Sequence, residues 1–320
     1  MKIVILDGYT TDEGQLSWGE LEKLGELVYY ERTPIDKVVE RAKSADILIA
    51  NKVILSKEVL SQLDNLKYIG LLSTGYNVVD LDYAKQRGIP VCNIPNYSTK
   101  SVAQLTVALL LEIAMGVGKH SISVSRGDWA KCNDFCYTTQ SIAELDGKTI
   151  GLVGYGAIAK EVAKIAKAFG MKALAYRRTP CNNDDIAQMV SLDELYRQSD
   201  VISMHCPMNG DSDKMIDEVA IGKMKDGVII LNTARGGIVD EKAIRSGLES
   251  GKIAGYGADV LSTEPPQKDN ALIDAPNCYI TPHIAWASKE AKSRLMSIAI
   301  DNVKSFLNGK IKNCVYKQEV

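Results

Sequence analysis

The sequence predicts an α/β protein built from two doubly wound parallel-sheet domains with a cleft between them. Three observations predict this fold class. Short apolar segments alternate with helical patterns over residues 1–98, as expected for a parallel sheet covered by helices on both faces. A second series of the same kind begins at Thr149, where a strand pattern runs into a glycine-rich turn and a helix. The length of 320 residues also suits two domains of ~100–200 residues each.

The composition is that of an ordinary globular chain, with 46% hydrophobic and 24% charged residues. There are 38 Lys and Arg against 40 Asp and Glu, without a long run of either sign, so we expect no nucleic-acid partner. No apolar run approaches the ~20 residues that span a bilayer, and no signal peptide is expected. The seven scattered cysteines favour free thiols and therefore a cytoplasmic protein.

Two loops in the first 98 residues follow predicted strand ends. Five strands are predicted here: Ile3–Leu6, Leu27–Tyr30, Ile47–Ala50, Tyr68–Leu72 and Pro90–Asn93. Asn51 and Lys52 follow the third strand, and Ser73 to Asn77 follow the fourth. Because ligands of open α/β sheets bind beyond the carboxyl ends of the strands, both loops are candidates for substrate binding. The alternative is that they are ordinary turns.

A long helix is predicted to begin at Thr99, with a broad apolar stripe along one side. We expect this helix to cross from the first domain to the second and to be a candidate subunit contact. Residues 127–146, here named the arm, have no clear period. We interpret Trp129, Phe135 and Tyr137 as the packing anchors of the arm.

The glycine turn after the strand Thr149–Val153 predicts a dinucleotide site. Gly154 permits the turn, Gly156 lets the backbone approach a pyrophosphate, and Ala159 stands at the third glycine position. The N-terminus of the following helix offers N–H groups to phosphate oxygens. The predicted cofactor-binding residues of this turn are Gly154, Tyr155, Gly156, Ala157 and Ile158. A plain strand–helix turn is the alternative.

The end of the next strand bears on the choice of cofactor. An NAD-preferring site usually has an acidic residue ~20 residues beyond the glycines, where it binds the ribose 2′-hydroxyl. Arg177 and Arg178 stand there instead, and guanidinium groups can bind a 2′-phosphate. NADPH is therefore favoured over NADH, with a solvated strand end as the alternative. Asp184 and Asp185 come too late to be assigned to the ribose.

The remaining elements complete the second domain. Its further strands are predicted at Met171–Tyr176, Val201–His205, Val228–Asn232, Ile253–Ala258 and Cys278–Thr281. Ser191, in a capping box, and Asp240 are predicted to cap helices. A final helix from Ser288 to Leu307 would return to the first domain. We therefore assign residues 1–98 plus 287–320 to a substrate-binding domain and residues 99–286 to a dinucleotide-binding domain.

Three residues after consecutive strands have the chemistry needed for hydride transfer to a ketone. Besides the cofactor, this reaction needs a cation for the substrate carboxylate, an acid for the developing alkoxide, and a carboxylate that holds the acid in its charged form. Arg235 can grip a carboxylate with two parallel hydrogen bonds. His283 is the natural acid or base near neutral pH, and Glu264 can orient it. Each could also be an ordinary surface charge.

The other histidines are weaker candidates. His205, Cys206 and Pro207 end a strand beside the predicted dinucleotide, so they either line the cofactor or have a structural role. His120 lies near the end of the long helix, where a surface position is expected. The sequence contains no ligand cluster that suggests a metal site.

Four ordered segments carry a resemblance that extends over essentially the whole chain. They are residues 151–159 (GLVGYGAIA), 232–240 (NTARGGIVD), 259–266 (DVLSTEPP) and 281–286 (TPHIAW). On these segments the chain resembles the D-isomer-specific 2-hydroxyacid dehydrogenase family. The resemblance implies a Rossmann-type cofactor domain and a flavodoxin-like substrate domain. It also implies a homodimer with the helix from Thr99 as the contact.

The resemblance also implies roles for single residues. The catalytic set of the family falls on Arg235, Glu264 and His283, and Asp259 is implied to contact the nicotinamide carboxamide. The backbone amides of the loop Ser73–Asn77 are implied to hold the substrate carboxylate. Further cofactor-binding candidates are Thr233 and Ala234. The candidate substrate-binding residues are Lys52, Ser73, Thr74, Gly75, Tyr76, Arg235, His283 and Trp286.

Within the family the chain is most similar to the glycerate dehydrogenase (hydroxypyruvate reductase) group. Residues 73–81, 96–104 and 281–291 carry this similarity, which implies NAD(P)-dependent reduction of hydroxypyruvate or glyoxylate to the D-hydroxyacid. A D-lactate or branched 2-hydroxyacid dehydrogenase is an alternative. A second alternative is a non-catalytic dinucleotide-sensing protein. Formate dehydrogenase pairs its histidine with glutamine, so Glu264 argues against that activity.

Overall fold

A computed structural model describes residues 1–14, 16–179 and 182–316. The chain divides into two compact units, Met1–Ser98 with Ala287–Val320 and Thr99–Trp286. We call them the first and the second unit and describe each by itself.

The first unit contains a five-stranded sheet in the order β2-β1-β3-β4-β5, with every neighbouring pair parallel. Its strands are β1 (Lys2–Ile5), β2 (Glu26–Tyr29), β3 (Ile47–Ala50), β4 (Tyr68–Leu71) and β5 (Val91–Cys92). The buried side chains of β3 are apolar without alternation, because helices cover both faces of a parallel sheet.

Short helices connect these strands, and a long helix completes the unit. The helices are α1 (Tyr9–Asp12), α2 (Gly19–Glu22), α3 (Val38–Ala42), α4 (Lys57–Leu60), α5 (Leu81–Gln86) and α12 (Lys289–Leu307). Ser288 caps α12, since its hydroxyl accepts a hydrogen bond from Ala291 N. The ring of Phe306 near the end of α12 packs against Tyr68 of β4.

The second unit contains a seven-stranded parallel sheet in the order β12-β11-β10-β9-β6-β7-β8. Its strands are β6 (Thr149–Val153), β7 (Lys172–Tyr176), β8 (Gln188–Met189), β9 (Val201–Met204), β10 (Val228–Asn232), β11 (Ile253–Ala258) and β12 (Cys278–Ile280). The chain order reverses between β6 and β9, which is where such sheets bind ligands.

Six α-helices belong to the second unit in the described part of the chain. They are α6 (Thr99–Met115), α7 (Val117–Ser125), α8 (Ala157–Ala168), α9 (Leu192–Gln198), α10 (Glu218–Gly222) and α11 (Glu241–Ser250). The apolar stripe of α6 is buried within its own unit, with Leu109 and Ile113 packed against Gly257 and Gly255 of β11. The expectation that α6 forms a subunit contact is not tested by a single chain and stays a prediction.

The arm departs from the prediction. Phe135 is 89% exposed and Trp129 is 51% exposed, so these two residues are not packing anchors in the single chain. Tyr137 is anchored, because its hydroxyl donates a hydrogen bond to Ser123 Oγ at 2.9 Å. His120 ties the arm to α7, since its Nε2 accepts from Thr139 N at 3.1 Å.

The predicted fold class, two parallel α/β sheets, is confirmed. The predicted caps are also confirmed: Ser191 Oγ accepts from Glu194 N, and Asp240 accepts from Lys242 N and Ala243 N. The sequence analysis missed three short elements, α1, β8 and α10. It also placed His120 near the end of the long helix, whereas that helix ends at Met115 and His120 belongs to α7. In the described ranges no single helix is long and apolar enough to cross a bilayer. The pair α6 and α7, bent by 59°, passes that test only when taken together and only by length and composition.

Candidate active site

The glycine turn lies between β6 and α8 and packs on the end of β9. Gly154 has a φ of 90°, and a Cβ there would lie 2.6 Å from Cys206 N, so only glycine fits. His205 N donates to Val153 O at 2.7 Å and joins the two strand ends. A Cβ on Gly156 would meet no atom within 4 Å, so the backbone there is open to a ligand.

The N-terminus of α8 is suited to a phosphate group. Gly156 is the N-cap and supplies no side-chain hydrogen bond, and the first turn carries no acidic residue. The first N–H groups of a helix have no partner inside the helix. Together with the positive end of the helix dipole, they favour an anion at Ala157 and Ile158.

A cavity of about 630 Å3 opens at this turn. Its walls include eight residues predicted to bind the cofactor: Gly154, Tyr155, Gly156, Arg177, Arg178, His205, Cys206 and Pro207. The other predicted cofactor-binding residues, Ala157, Ile158, Thr233, Ala234 and Asp259, are not among its lining residues. The open backbone at Gly156, the uncapped helix and the size of the cavity fit a dinucleotide.

The carboxylate of Asp184 has several partners beside the glycine turn. Its oxygens accept from Tyr155 Oη at 2.9 and 3.0 Å and from the amides of Ile186 and Ala187 at 3.0 Å. Lys160 Nζ lies 3.1 Å away. The two amides, the tyrosine hydroxyl and the lysine hold the pKa of Asp184 well below its usual range. Asp184 therefore anchors the turn.

The cationic end of β7 has one acidic partner that the sequence analysis missed. Arg177 and Arg178 are both exposed and line the cavity. Arg178 Nη1 lies 2.8 Å from Asp211 Oδ2, and Asp211 lines the same cavity. Because both partners of this ion pair are exposed, the pair is weak. A carboxylate 33 residues away from its partner gives no local signal in the sequence.

His205 is held neutral beside the cavity. Its Nε2 lies 2.9 Å from Ser203 Oγ, and burial lowers the pKa of His205 to about 4. A histidine with this pKa is uncharged near neutral pH and is not an effective proton donor there. His205 lines the cavity. It therefore suits a place in the wall of the predicted cofactor site better than a role as proton donor.

The three predicted catalytic residues follow adjacent strands of one sheet. Asn232 of β10 pairs with Ala258 of β11, which pairs with Ile280 of β12. Gly236, which follows Arg235, packs directly on the next loop, since a Cβ there would lie 1.9 Å from the carbonyl carbon of Leu261. The backbone next to Arg235 is therefore fixed against the loop that carries Glu264.

Arg235 presents its side chain outward from this fixed backbone. The side chain is exposed, and Nη1 donates to Ala234 O at 2.7 Å. Asn232 braces the loop, because its amide donates to Arg235 O at 2.9 Å and accepts from Ala234 N at 3.1 Å. Thr233 Oγ1 lies 2.8 Å from Thr106 Oγ1 of α6. The loop is thus rigid while the guanidinium can reach a ligand.

His283 and Glu264 are in direct contact. His283 Nδ1 lies 2.6 Å from Glu264 Oε2, and Glu264 Oε1 accepts from Leu261 N at 3.1 Å. An ionised carboxylate can only accept, so Nδ1 carries the proton and Nε2 is left for a ligand. His283 is partly exposed and has a φ of 54°, in the left-handed region. A strained backbone of this kind is often found at a functional site.

Asp259 holds the loop that carries His283. Its Oδ1 accepts from Thr281 Oγ1 at 2.6 Å and Ile284 N at 2.8 Å, and its Oδ2 accepts from Ala285 N at 2.8 Å. The side chain is buried, with 1% exposure. Ser101 of α6 adds a hydrogen bond to Ala285 O at 2.6 Å. Asp259 therefore positions His283, and its contact with a cofactor stays a prediction.

In the first unit, Asp7 orders the loop of Lys52. Its carboxylate accepts from the amides of Asn51, Lys52 and Val53 at 2.7, 2.6 and 3.1 Å. The side chain of Lys52 is exposed. Sequence reasoning missed Asp7. An acidic residue two positions after β1, which is next to β3 in a parallel sheet, is a signal that could have found it.

The loop after β4 is ordered by its own side chains. Ser73 Oγ donates to Gly75 O at 2.6 Å, and Thr74 Oγ1 donates to Ile94 O at 2.8 Å. Tyr76 is exposed. Within residues 1–14, 16–179 and 182–316, the N–H groups of Thr74, Gly75 and Tyr76 donate to no protein acceptor. Such N–H groups can bind a carboxylate.

Two further observations concern the position of Trp286 and the binding of metal ions. Trp286, the last residue of the second unit, is partly buried directly after the loop of His283. No group of three or more His, Cys, Asp or Glu side chains in the described part of the chain is arranged to hold a metal ion.

Comparison with known proteins gives the family. Residues 107–285 match the family described as D-isomer specific 2-hydroxyacid dehydrogenase, NAD binding domain. The chain is 48% identical over 322 residues to a hydroxypyruvate reductase of Blautia hydrogenotrophica, covering 99% of this chain and 100% of the relative. It is 41% identical over 317 residues to a glycerate dehydrogenase of Methylorubrum extorquens, covering 98% of each.

A solved structure agrees with this result. An acyclic imino acid reductase in complex with NADPH and D-Arg superposes with a TM-score of 0.88 at 31% identity, covering 99% of this chain and 100% of that one. The likeness extends over both units, and the family match covers most of the second unit. The chain is an oxidoreductase that belongs to the D-isomer-specific 2-hydroxyacid dehydrogenase family.

Proposed function

We propose that this enzyme reduces hydroxypyruvate or glyoxylate to the D-2-hydroxyacid with NADPH or NADH. The observation that carries the proposal is the ordered pair of His283 and Glu264, 2.6 Å apart, beside the loop of Arg235. The names of the two relatives support the choice of substrate.

The proposed chemistry assigns one task to each side chain. A nicotinamide cofactor would supply the hydride when bound. His283 gives the proton on Nε2 to the substrate oxygen, while Glu264 keeps Nδ1 protonated and fixes the plane of the ring. Arg235 binds the substrate carboxylate through two parallel hydrogen bonds. Asp259 holds the backbone from which His283 projects.

The remaining substrate-binding assignments are part of the same proposal. The loop of Ser73, Thr74, Gly75 and Tyr76 is supported by N–H groups that donate to no acceptor in the described chain. Lys52 is supported by its exposure on a loop that Asp7 orders. Trp286 is supported by its place directly after the loop of His283.

An absorbance assay tests the proposed reaction. The purified protein is mixed with hydroxypyruvate and either NADPH or NADH, and the loss of nicotinamide absorbance is followed. Fast oxidation of either cofactor is expected. If neither is oxidised with hydroxypyruvate or glyoxylate, the proposed substrate is wrong, and pyruvate and branched 2-oxoacids are then compared in the same assay.

We propose further that NADPH is preferred over NADH. Arg177 and Arg178 line the cavity at the end of β7, where a 2′-phosphate would need cations. Asp184, the acidic residue nearest in sequence, is engaged by Tyr155 and two amides. It is therefore occupied in holding the turn. Asp211 opposes the preference, because it places a negative charge beside Arg178.

Substitutions at this strand end should change the cofactor preference in opposite directions. Arg177→Asp should lower the ratio of kcat/KM for NADPH to kcat/KM for NADH by roughly 10-fold, the worth of one charge-assisted hydrogen bond at an exposed site. Asp211→Asn should raise the ratio. Arg197→Asp, an exposed arginine on α9, is the matched control. An unchanged ratio in Arg177→Asp would show that Arg177 does not select the cofactor.

We also propose a cytoplasmic homodimer. The six described cysteines are free thiols, which suits a reducing compartment. Large apolar side chains on α7 and the arm are exposed in the single chain and support a subunit contact there. These side chains are Val117, Ile122, Val124, Trp129, Phe135 and Ile142.

Replacing the most exposed of these side chains should weaken the dimer. Burial of a phenylalanine contributes ~1.5–3 kcal/mol, so Phe135→Ser should raise the dimer Kd by at least about 10-fold in sedimentation experiments. Val219→Ser is the matched control, because Val219 is 67% exposed on α10. An unchanged dimer in Phe135→Ser would place the contact elsewhere.

A further inference from the structure

Two cysteines of the first unit stand opposite each other in a short antiparallel pairing. Cys92 ends β5, and Cys314 belongs to the segment that follows α12. The two residues form an isolated antiparallel bridge. They are 222 positions apart in the sequence, so no local pattern links them.

The hydrogen bonds around this bridge define its geometry. Asn93 N donates to Asn313 O at 3.0 Å, and Val315 N donates to Val91 O at 2.9 Å. Cys92 and Cys314 thus form a non-hydrogen-bonded pair flanked by two hydrogen bonds. In such pairs the Cα atoms lie ~4.5 Å apart and the side chains are at their closest. A disulfide needs Cα atoms about 4.4–6.8 Å apart, so this pair lies within reach of one.

The two thiols differ in their access to solvent. Cys92 is 1% exposed, whereas Cys314 is only partly buried. Burial raises the pKa of the Cys92 thiol to about 12, and Cys314 is close enough to contribute to this rise. An oxidant therefore meets Cys314 first, and Cys92 is the neighbour that can resolve the oxidised sulfur.

We propose that Cys92 and Cys314 are an oxidation site at which a peroxide forms a cross-strand disulfide. The Cys314 thiolate attacks hydrogen peroxide and becomes a sulfenic acid, while the distal oxygen leaves as hydroxide and is protonated to water. The Cys92 sulfur then attacks the sulfenic sulfur, the S–S bond forms, and a second water leaves with the proton of Cys92. The two thiols lose two electrons and two protons to one peroxide. The buried, high-pKa resolving thiol makes the second step slow.

The link would join the segment that follows α12 to the strand that holds the loop of Ser73. Directly after Cys92, Asn93 Nδ2 donates to Thr74 O at 2.8 Å and Ile94 N donates to Ser73 O at 3.0 Å. Because a disulfide restricts the unfolded chain, the oxidised protein should be more resistant to denaturation than the reduced protein.

Peptide mapping tests the proposal. The full-length protein is incubated for hours with a small excess of hydrogen peroxide, its remaining thiols are blocked, and it is digested with trypsin without reductant. The expected product joins the peptide of residues 88–100 to the peptide that begins at Asn313, and dithiothreitol separates them. The denaturation temperature should rise by at least about 2 °C.

Variants of the cysteines make the outcome decisive. Cys314→Ala should abolish both the linked peptide and the rise in denaturation temperature, and Cys92→Ala should leave Cys314 as a sulfinic or sulfonic acid. Cys132→Ser with Cys136→Ser, in the arm, should leave the link intact. The proposal is overturned if wild-type Cys314 is oxidised without a link to Cys92. It is also overturned if the link joins two chains, which a non-reducing gel would reveal as a covalent dimer.

Discussion

Replacing His283 by alanine is expected to lower kcat for hydroxypyruvate reduction by about 10²–10⁴-fold, the usual worth of a positioned acid. The structure directs one ring nitrogen to Glu264 at 2.6 Å and leaves the other for the substrate. In the alanine variant no side chain replaces Nε2, so the proton must come from water. Dissociation constants for NADPH and NADH should stay near those of the wild-type protein, because His283 does not line the cavity at the glycine turn.

The control for this variant uses a histidine of the same unit. His120 bonds Gly116 O and Thr139 N, so His120→Ala should leave kcat within about twofold of the wild-type value. Cofactor binding is measured by fluorescence titration and turnover by nicotinamide absorbance. Retention of most of the wild-type kcat in His283→Ala would show that another group donates the proton.

Much of the fold could be predicted, because the strands of a parallel sheet are short apolar runs with turn residues at their ends. Ile47–Ala50, Val228–Asn232 and Ile253–Ala258 have the predicted bounds. The elements missed are all short. The two residues of β8 gain their strand conformation by pairing with β7, and the five residues of α10 depend on a cap by Asp217. Elements of this length are too short to show a period in the sequence.

The site divides in the same way. The residue types that suit hydride transfer could be predicted at strand ends, and the contact between Glu264 and His283 agrees with the expected pairing. The carboxylates that hold the loops of the site in place could not be predicted. Asp259 bonds amides 25 and 26 residues away, and Asp7 bonds amides 44 to 46 residues away. Backbone amides are present at every position, so they mark no position as a partner.

The prediction that Trp129 and Phe135 are packing anchors was wrong for a different reason. A large aromatic side chain is usually a core residue, and the sequence analysis treated Trp129 and Phe135 accordingly. Their exposure shows that an aromatic residue type alone does not distinguish a core position from a surface position.

Replacing Arg235 by lysine is expected to lower kcat/KM for the oxoacid by roughly 10- to 100-fold. A guanidinium can make two parallel hydrogen bonds to a carboxylate, whereas an ammonium on a flexible stem makes one such contact at a time. A charge-assisted hydrogen bond contributes about 1.5–3 kcal/mol, which corresponds to this range. The backbone cannot move to compensate, because Gly236 is packed on the carbonyl group of Leu261 and Asn232 braces the loop. The charge is kept, so a loss of activity reports the geometry of the contact between the guanidinium and the carboxylate rather than the loss of a cation.

Steady-state kinetics with saturating cofactor measure the effect, and Arg197→Lys on the exposed surface of α9 serves as the matched control. A kcat and KM close to the wild-type values in Arg235→Lys would mean that the substrate carboxylate is held by other groups, and the N–H groups of Thr74, Gly75 and Tyr76 would then be tested in its place.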